Sequence, residues 1–305
     1  MTNANIPTRA WIELGLLSLL WGAIFLVVEF VLQELTPFWA VFHRVFWAAL
    51  ALWAVLLWKG ERAPADASRW IAFFVMGALN NAIPFSLITW GQVQIESGLA
   101  SILNAATAFF AIIVAAIFLA DERLTSARII GVLIGVAGVA VIIGPKALIG
   151  FDPRSLGQIA VLGAAVSYAF AGVWARKRLV GLSPMVSATG MLTGSAAIMA
   201  VIAFLFEGPP DLALSATSIA AIFYMAIFGT VFAYILFYRI LDAAGSGNLM
   251  LCTIMMPPIS ILLGWAVLGE ALSANAFFGC GLILIGLIIL DGRVWRTLAG
   301  RSREA

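Results

Sequence analysis

The sequence predicts an all-α integral membrane protein: ten transmembrane helices forming two inverted-topology repeats of five around a central cavity. Three observations lead there. Of 305 residues, 63% are hydrophobic and 10% charged, where a soluble domain carries about 25% charge. Apolar runs long enough to cross a bilayer, roughly 20 residues at 1.5 Å rise each, recur along the whole chain. The two halves also repeat at a nearly constant offset.

The runs fall near 11–31, 37–58, 70–90, 97–118, 126–143, 156–178, 184–206, 217–241, 246–267 and 273–291. The first follows MTNANIPTRAW, which lacks a cleavage site behind a short apolar core, so this run is expected to remain as a span. It carries Trp21-Gly22 at mid-span and Glu29 near its outer end. The second starts at Pro37, a residue suited to the first helical position, and brings His43 and Arg44 close to the same outer end. A Glu29–Arg44 ion pair with His43 beside it is expected, structural in role because none of the three reaches the centre.

The third run contains LNNAIPFSLITWGQVQ. Asn80 and Asn81 lie about ten residues in, roughly 15 Å deep by helical rise. Amides facing lipid there would be costly, so they must face protein or water. Pro84 removes one backbone hydrogen bond and frees a carbonyl one turn earlier, which is tolerated where backbone lines a cavity. The fourth run has a stripe Ala100, Asn104, Thr107, Ala111 on one helical face. Helix–helix packing explains single Ser and Thr residues on such a face as well as a binding site does, whereas the bulkier asparagines suit packing less.

In the second half, Tyr168 sits mid-span among Ala165, Ala169 and Gly172, as Trp21 does beside Gly22; together they suggest a broad aromatic surface. Ser183-Pro184 reads as N-cap and first helical residue of the seventh run. Gly229-Thr230 and Tyr234 are the counterparts of Asn80-Asn81 and Phe85. The ninth run repeats the stripe as Leu249, Thr253, Met256, Ser260. Pro257-Pro258 should break or bend it, making Met256 either hinge neighbour or gap filler. Glu122 and Glu270, at span starts, read as solvated end groups. Cys252 and Cys280 lie in apolar runs and read as small hydrophobes, with no disulfide framework. Trp11, Trp39, Trp58, Trp70 and Trp295 fall near span ends, as an aromatic belt requires.

The repeat is legible as pairs. Trp21 matches Tyr168, Thr36 matches Ser183 and Pro37 matches Pro184. Ser97-Gly98 matches Ser246-Gly247, Glu122 matches Glu270, Gly131 matches Gly279 and Gly138 matches Gly286. Five spans per half is an odd number, so the second half enters the membrane inverted. Glu29 and Glu34 face a counterpart region holding Arg176, Lys177 and Arg178, as opposite sides of a membrane require. Of the 17 cations, only Arg44, Lys146 and Arg154 fall outside the even-numbered connections and termini, which makes both termini cytoplasmic. The expected divisions are a cytoplasmic N-terminus 1–10, a first repeat 11–145, a second repeat 146–292 and a cytoplasmic tail 293–305. Inverted repeats characterise secondary transporters, whose sites lie near the midplane.

None of the three lysines follows a P-loop glycine pattern, no metal-ligand spacing exists, and no Ser-His-Asp arrangement can be built. No enzyme activity, cofactor, metal site, nucleic-acid partner or obligatory protein partner is therefore expected; the partners are the lipid bilayer and a small solute. Trp21, Asn80, Asn81, Phe85, Asn104, Thr107, Tyr168, Thr230, Tyr234, Thr253 and Met256 are the candidate substrate-binding residues. A chamber rich in amides and poor in charge suits a zwitterion with an apolar side chain. Dicarboxylates or phosphates would want central cations.

Leu20-Trp21-Gly22, the stretch from Pro37 to Arg44, and the repeated Leu119-Ala120-Asp121-Glu122-Arg123-Leu124 and Leu268-Gly269-Glu270-Ala271-Leu272 stand in the order and spacing of a known family. With glycine-rich fifth and tenth runs, the chain resembles the EamA type of the drug/metabolite transporter superfamily over about 11–291, and within it the bacterial aromatic amino acid exporters, also linked to efflux of toxic cations. The resemblance implies a ten-helix basket around a central cavity, alternating access, and export of amino acids across the bacterial inner membrane. Export of organic cations is the alternative within transport; an intramembrane enzyme or a structural subunit is the alternative outside it. The fourth run departs from the family, holding Ala106-Thr107-Ala108 where a proline is often found, which implies unequal flexing of the halves.

Overall fold

The computed structural model describes residues 8–119, 125–143, 153–210, 213–237, 239–240, 243 and 251–291. Among them all regular structure is helical: α1 (Thr8–Val31), α2 (Pro37–Trp58), α3 (Ala67–Gln92), α4 (Ser97–Phe118), α5 (Ser126–Ile143), α6 (Pro153–Arg178), α7 (Pro184–Glu207), α8 (Ala216–Phe237), α9 (Leu251–Leu263, continuing as a π-turn Gly264–Leu268) and α10 (Ala274–Asp291). Seven of these contain stretches long and apolar enough to span a membrane; α5, α9 and α10 hold shorter apolar helices. Residues such as Ile12, Leu57, Phe206 and Phe278 are exposed, as helices facing lipid require. The apolar runs of the sequence coincide with these helices, since in a bilayer every backbone group must bond within its own segment. The ends at 241 and 246, together with Glu122, Lys146, Leu249, Trp295, the Ser246-Gly247 pair, residues 1–7 and the tail 293–305, lie outside the described residues, while residues 8–10 of the expected N-terminal segment already belong to α1.

The most extensive contacts join residues 8–143 to residues 153–291: α5 with α10, α2 with α7, α3 and α4 with α6, α1 with α9, and α3 with α7. Small residues permit the closest of these. A Cβ on Gly138 would lie 2.7 Å from the Gly279 carbonyl oxygen, and one on Gly286 would lie 2.7 Å from that of Gly131. This register makes α5 and α10 antiparallel, with backbones touching where lipid offers no hydrophobic drive to pack larger side chains. At α3–α7 a Cβ on Gly77 would meet the Met191 oxygen at 2.6 Å.

Carboxylates tie helix ends together. Glu207, at the end of α7, accepts from Thr36 Oγ1 and from the Phe38 and Trp39 amides at 3.1 Å, closing the open first turn of α2. Glu61, just beyond α2, accepts from Ser183 Oγ at 2.7 Å, while Ser183 accepts from Val186 N as the N-cap of α7. The antiparallel helices α2 and α7 thus serve each other's N-termini. Glu34 accepts from Ser215 N at 2.8 Å at the start of α8.

Three expectations need correction. Glu270 is not a solvated end group: it accepts from Ser97 N (2.8 Å), Ser97 Oγ (2.9 Å) and Gly98 N (3.2 Å), capping α4 from another helix. Pro257 and Pro258 do not break α9, which runs helically through them. Each proline removes only one ladder bond, and burial of the flanking Met256 and Ser260 holds the segment. The discontinuity falls in proline-free α4, which tightens at Ala105-Ala106: Ala106 N bonds Leu103 O at 3.0 Å and Phe109 N bonds Ala106 O at 3.0 Å, both three residues back. Finally, Trp39 is buried rather than part of an interfacial belt, its indole donating to Gly208 O at 3.1 Å. Cys252 and Cys280 are free and buried, as their apolar surroundings implied.

Candidate functional site

The polar residues of the spans gather where helices lose regularity. In α3 the turn Ala78–Ala82 is π-helical and carries both asparagines. Pro84 lacks an N–H for the Asn80 carbonyl, and Ile83 N reaches back to Ala78 O, so the wider turn absorbs the missing bond. In α8 residues Tyr224–Phe232 are π-helical, and Thr230 Oγ1 donates to Met225 O, five residues back, at 2.8 Å. In α4, Thr107 Oγ1 takes the Asn104 carbonyl at 2.7 Å beside the tightened step.

Asn80 Nδ2 donates to Tyr234 Oη at 3.1 Å and lies 3.3 Å from Asn81 Oδ1, which also accepts from Tyr234 Oη at 3.3 Å. This joins α3 to α8. Asn81 Nδ2 donates to Ser195 Oγ at 2.9 Å, and Ser195 donates onward to Met191 O and Gly77 O, joining α3 to α7. The two amides differ in surroundings. Asn81 is 0% exposed and wedged between helices, whereas Asn80 retains accessible surface.

Arg44 belongs to this cluster, which the sequence reading missed. Its Nε donates to Thr230 Oγ1 at 3.2 Å and its guanidinium carbon stands 3.8 Å over the Phe85 ring. Tyr168 and Tyr234 are close enough to act on it electrostatically. The expected Glu29–Arg44 ion pair does not form: Glu29 Oε1 accepts from Gln92 Nε2 at 2.7 Å, and His43 Nδ1 accepts from Trp47 Nε1 at 3.3 Å. A count of residues along a helix gives the depth of Cα but not the reach of a long side chain, and Arg44 points inward.

The remaining candidates fall into two groups. Trp21, Asn104, Thr107, Tyr168 and Thr253 are half-buried, and Trp21 and Tyr168 both pack against the cluster containing Phe25, Leu103 and Met256. Trp21 lies 6.0 Å from Phe237 between ring centroids. Asn104 Oδ1 is buried without a hydrogen-bond partner. Phe85, Thr230 and Met256 are buried, Met256 within that apolar cluster. Among the described residues no group of three or more His, Cys, Asp or Glu side chains could hold a metal ion. An apolar groove lined by Val141, Phe277, Phe278 and Ile285 lies on the α5–α10 flank, apart from the polar cluster.

The sequence profile of the EamA-like transporter family matches residues 10–144 and again residues 155–290. An uncharacterized transporter of Archaeoglobus fulgidus is 27% identical, over 92% of this chain and 98% of its own. A protein of Streptantibioticus cattleyicolor named "probable terminal-alkyne amino-acid exporter" is 29% identical, over 72% of this chain and 71% of its own. A crystal structure superposes with a TM-score of 0.65 at 22% identity, covering 98% of this chain and 99% of the other, and so shares the fold.

Proposed function

The chain belongs to the EamA-like transporter family, and on that premise we propose that this multi-pass membrane transporter exports amino acids, aromatic and other neutral ones, by alternating access. The observation that carries the reading is the polar cluster of Asn80, Asn81, Tyr234, Thr230 and Arg44, set among apolar helices beside two π-helical turns, with Asn81 and Thr230 buried and the other three half-buried. Polar side chains at such depth mark solute pathways, and π-turns recur at functional sites. Trp21, Phe85 and Tyr168 supply aromatic surface for an apolar side chain, and Asn104, Thr107, Thr253 and Met256 complete the lining on α4 and α9. Asn81 holds the lining in place from behind.

The proposed architecture counts α5, α9 and α10 as spans, giving two inverted five-helix repeats at 11–145 and 146–292, with the segments 1–10 and 293–305 in the cytoplasm. The double match of one family profile supports this division. So does the reciprocal service of α2 and α7 to each other's N-termini. The proposed location is the bacterial inner membrane. The amino-acid reading draws support from the Streptantibioticus relative.

Uptake of labelled phenylalanine, threonine and methionine by vesicles containing the purified protein tests the reading. We expect saturable uptake above empty vesicles for at least one. Rates equal to empty vesicles for all three would overturn it.

A further inference from the structure

We propose that Arg44 is the anchor for a carboxylate on the transported solute, which restricts the substrate class to small molecules with a free carboxylate and turns organic cations away. This rests on the amino-acid reading above and names the group by which such a solute is held.

Arg44 is the eighth residue of α2, about 10 Å into the helix by rise. A cation within apolar helices is costly unless something neutralises it. Nothing described does so. No carboxylate forms an ion pair with Arg44 among the described residues, and the acids on neighbouring segments are engaged elsewhere. Glu29 is held by Gln92, Glu34 by Ser215, and Glu207 by the first turn of α2. Tyr168 and Tyr234 are near but bring phenols rather than carboxylates.

The contacts that Arg44 does make fix its orientation without consuming its charge. Phe85 covers one face of the guanidinium plane at 3.8 Å, and Thr230 occupies Nε at 3.2 Å. Thr230 is itself held by Met225 O at 2.8 Å. The two Nη groups have no acceptor among the described residues. That leaves the terminal edge of the fork, two parallel N–H vectors matching the two oxygens of one carboxylate. A pinned fork loses little entropy on binding, so more of the interaction appears as affinity.

The rest of a zwitterion finds its complement nearby. Asn80 is linked to the same cluster through Tyr234. Its Oδ1 accepts from no described residue and offers an acceptor for an ammonium group. One fixed positive charge balances one carboxylate. It repels a purely cationic solute across a low-dielectric space, and so distinguishes amino-acid export from organic-cation export within one site.

The test uses purified full-length protein in vesicles loaded with phenylalanine, following exchange of labelled phenylalanine. Competitors are phenyllactate, which keeps the carboxylate and lacks the ammonium, and phenylalanine amide and phenethylamine, which lack the carboxylate. Phenyllactate should compete, and the amide and amine should not. Arg44→Gln should raise the half-saturating phenylalanine concentration about tenfold or more, the loss of one charge-assisted pair, and Arg44→Lys should fall between. Competition by the amide as strong as by phenylalanine, or an Arg44→Gln variant with unchanged half-saturation, would overturn the anchor while leaving amino-acid export standing. If Arg44→Gln fails to elute as a single species, the competitor series on the unaltered protein decides. If the unaltered protein exchanges no amino acid, export as proposed falls, and thermal melting in detergent decides the anchor. Stabilisation by phenyllactate but not by phenethylamine supports it, and its absence refutes it.

Discussion

Asn80 and Asn81 are adjacent in sequence and do different things. Asn81 has no accessible surface and bonds Ser195 on α7 while accepting from Tyr234 on α8. Asn81→Ala leaves buried partners unsatisfied and should destabilise the protein by about 1–3 kcal/mol, read as a lower melting temperature in detergent. Asn80→Ala should leave melting nearly unchanged and raise the phenylalanine concentration needed for half-maximal exchange; equal melting losses in both variants would remove the distinction. The asparagine pair was legible because amides stand out in an apolar run. That one of them faces a neighbouring helix was not, because a one-residue step turns a side chain by 100° and the sequence does not say which neighbour lies there. Arg44 was misread for a related reason: its Cα sits toward the end of the span, but its guanidinium does not.

Helix ends carry the element-scale argument. The bonds from Ser215 hold the Glu34 carboxyl below the usual carboxylate range. A depressed pKa in the folded state means that the tie to α8 is present above that range and is lost as pH falls through the lowered value. The protection factor of the Ser215 amide should therefore fall as pH drops below the ordinary carboxylate range, and an unchanged protection factor would show that Glu34 does not order this turn. Glu207→Ala opens the first turn of α2 and should cost about 1–2 kcal/mol, with faster exchange at Phe38 and Trp39 before any other α2 amide. Ser183-Pro184 and Thr36-Pro37 announced their helix starts locally. The distant carboxylates that complete them were invisible, because capping by a residue 168 or 173 positions away leaves no local pattern. The tightened step in α4 was also hidden, since Ala105-Ala106 holds neither glycine nor proline to mark it.

At the scale of the molecule, glycines set the spacing of α5 and α10. Gly138→Val would drive new atoms into the Gly279 carbonyl and the Ile283 amide, whereas a Cβ on Gly281 meets nothing within 4 Å. The first variant should lower folded yield and melting temperature, and Gly281→Val should behave as the unaltered protein. The seven helices long and apolar enough to cross a membrane followed from hydrophobic length alone, and the repeated glycines were visible as an offset. That these glycines meet crosswise, Gly131 against Gly286 and Gly138 against Gly279 rather than each against its repeat mate, required the fold. The mutual closure of α2 and α7 has a consequence for movement. Each helix ends at the other's beginning, so sliding one along the other stretches the Glu207 and Glu61 contacts together. The two form a splint of fixed length, and any rearrangement of the bundle that keeps these ties must be borne by the helices that lean against it.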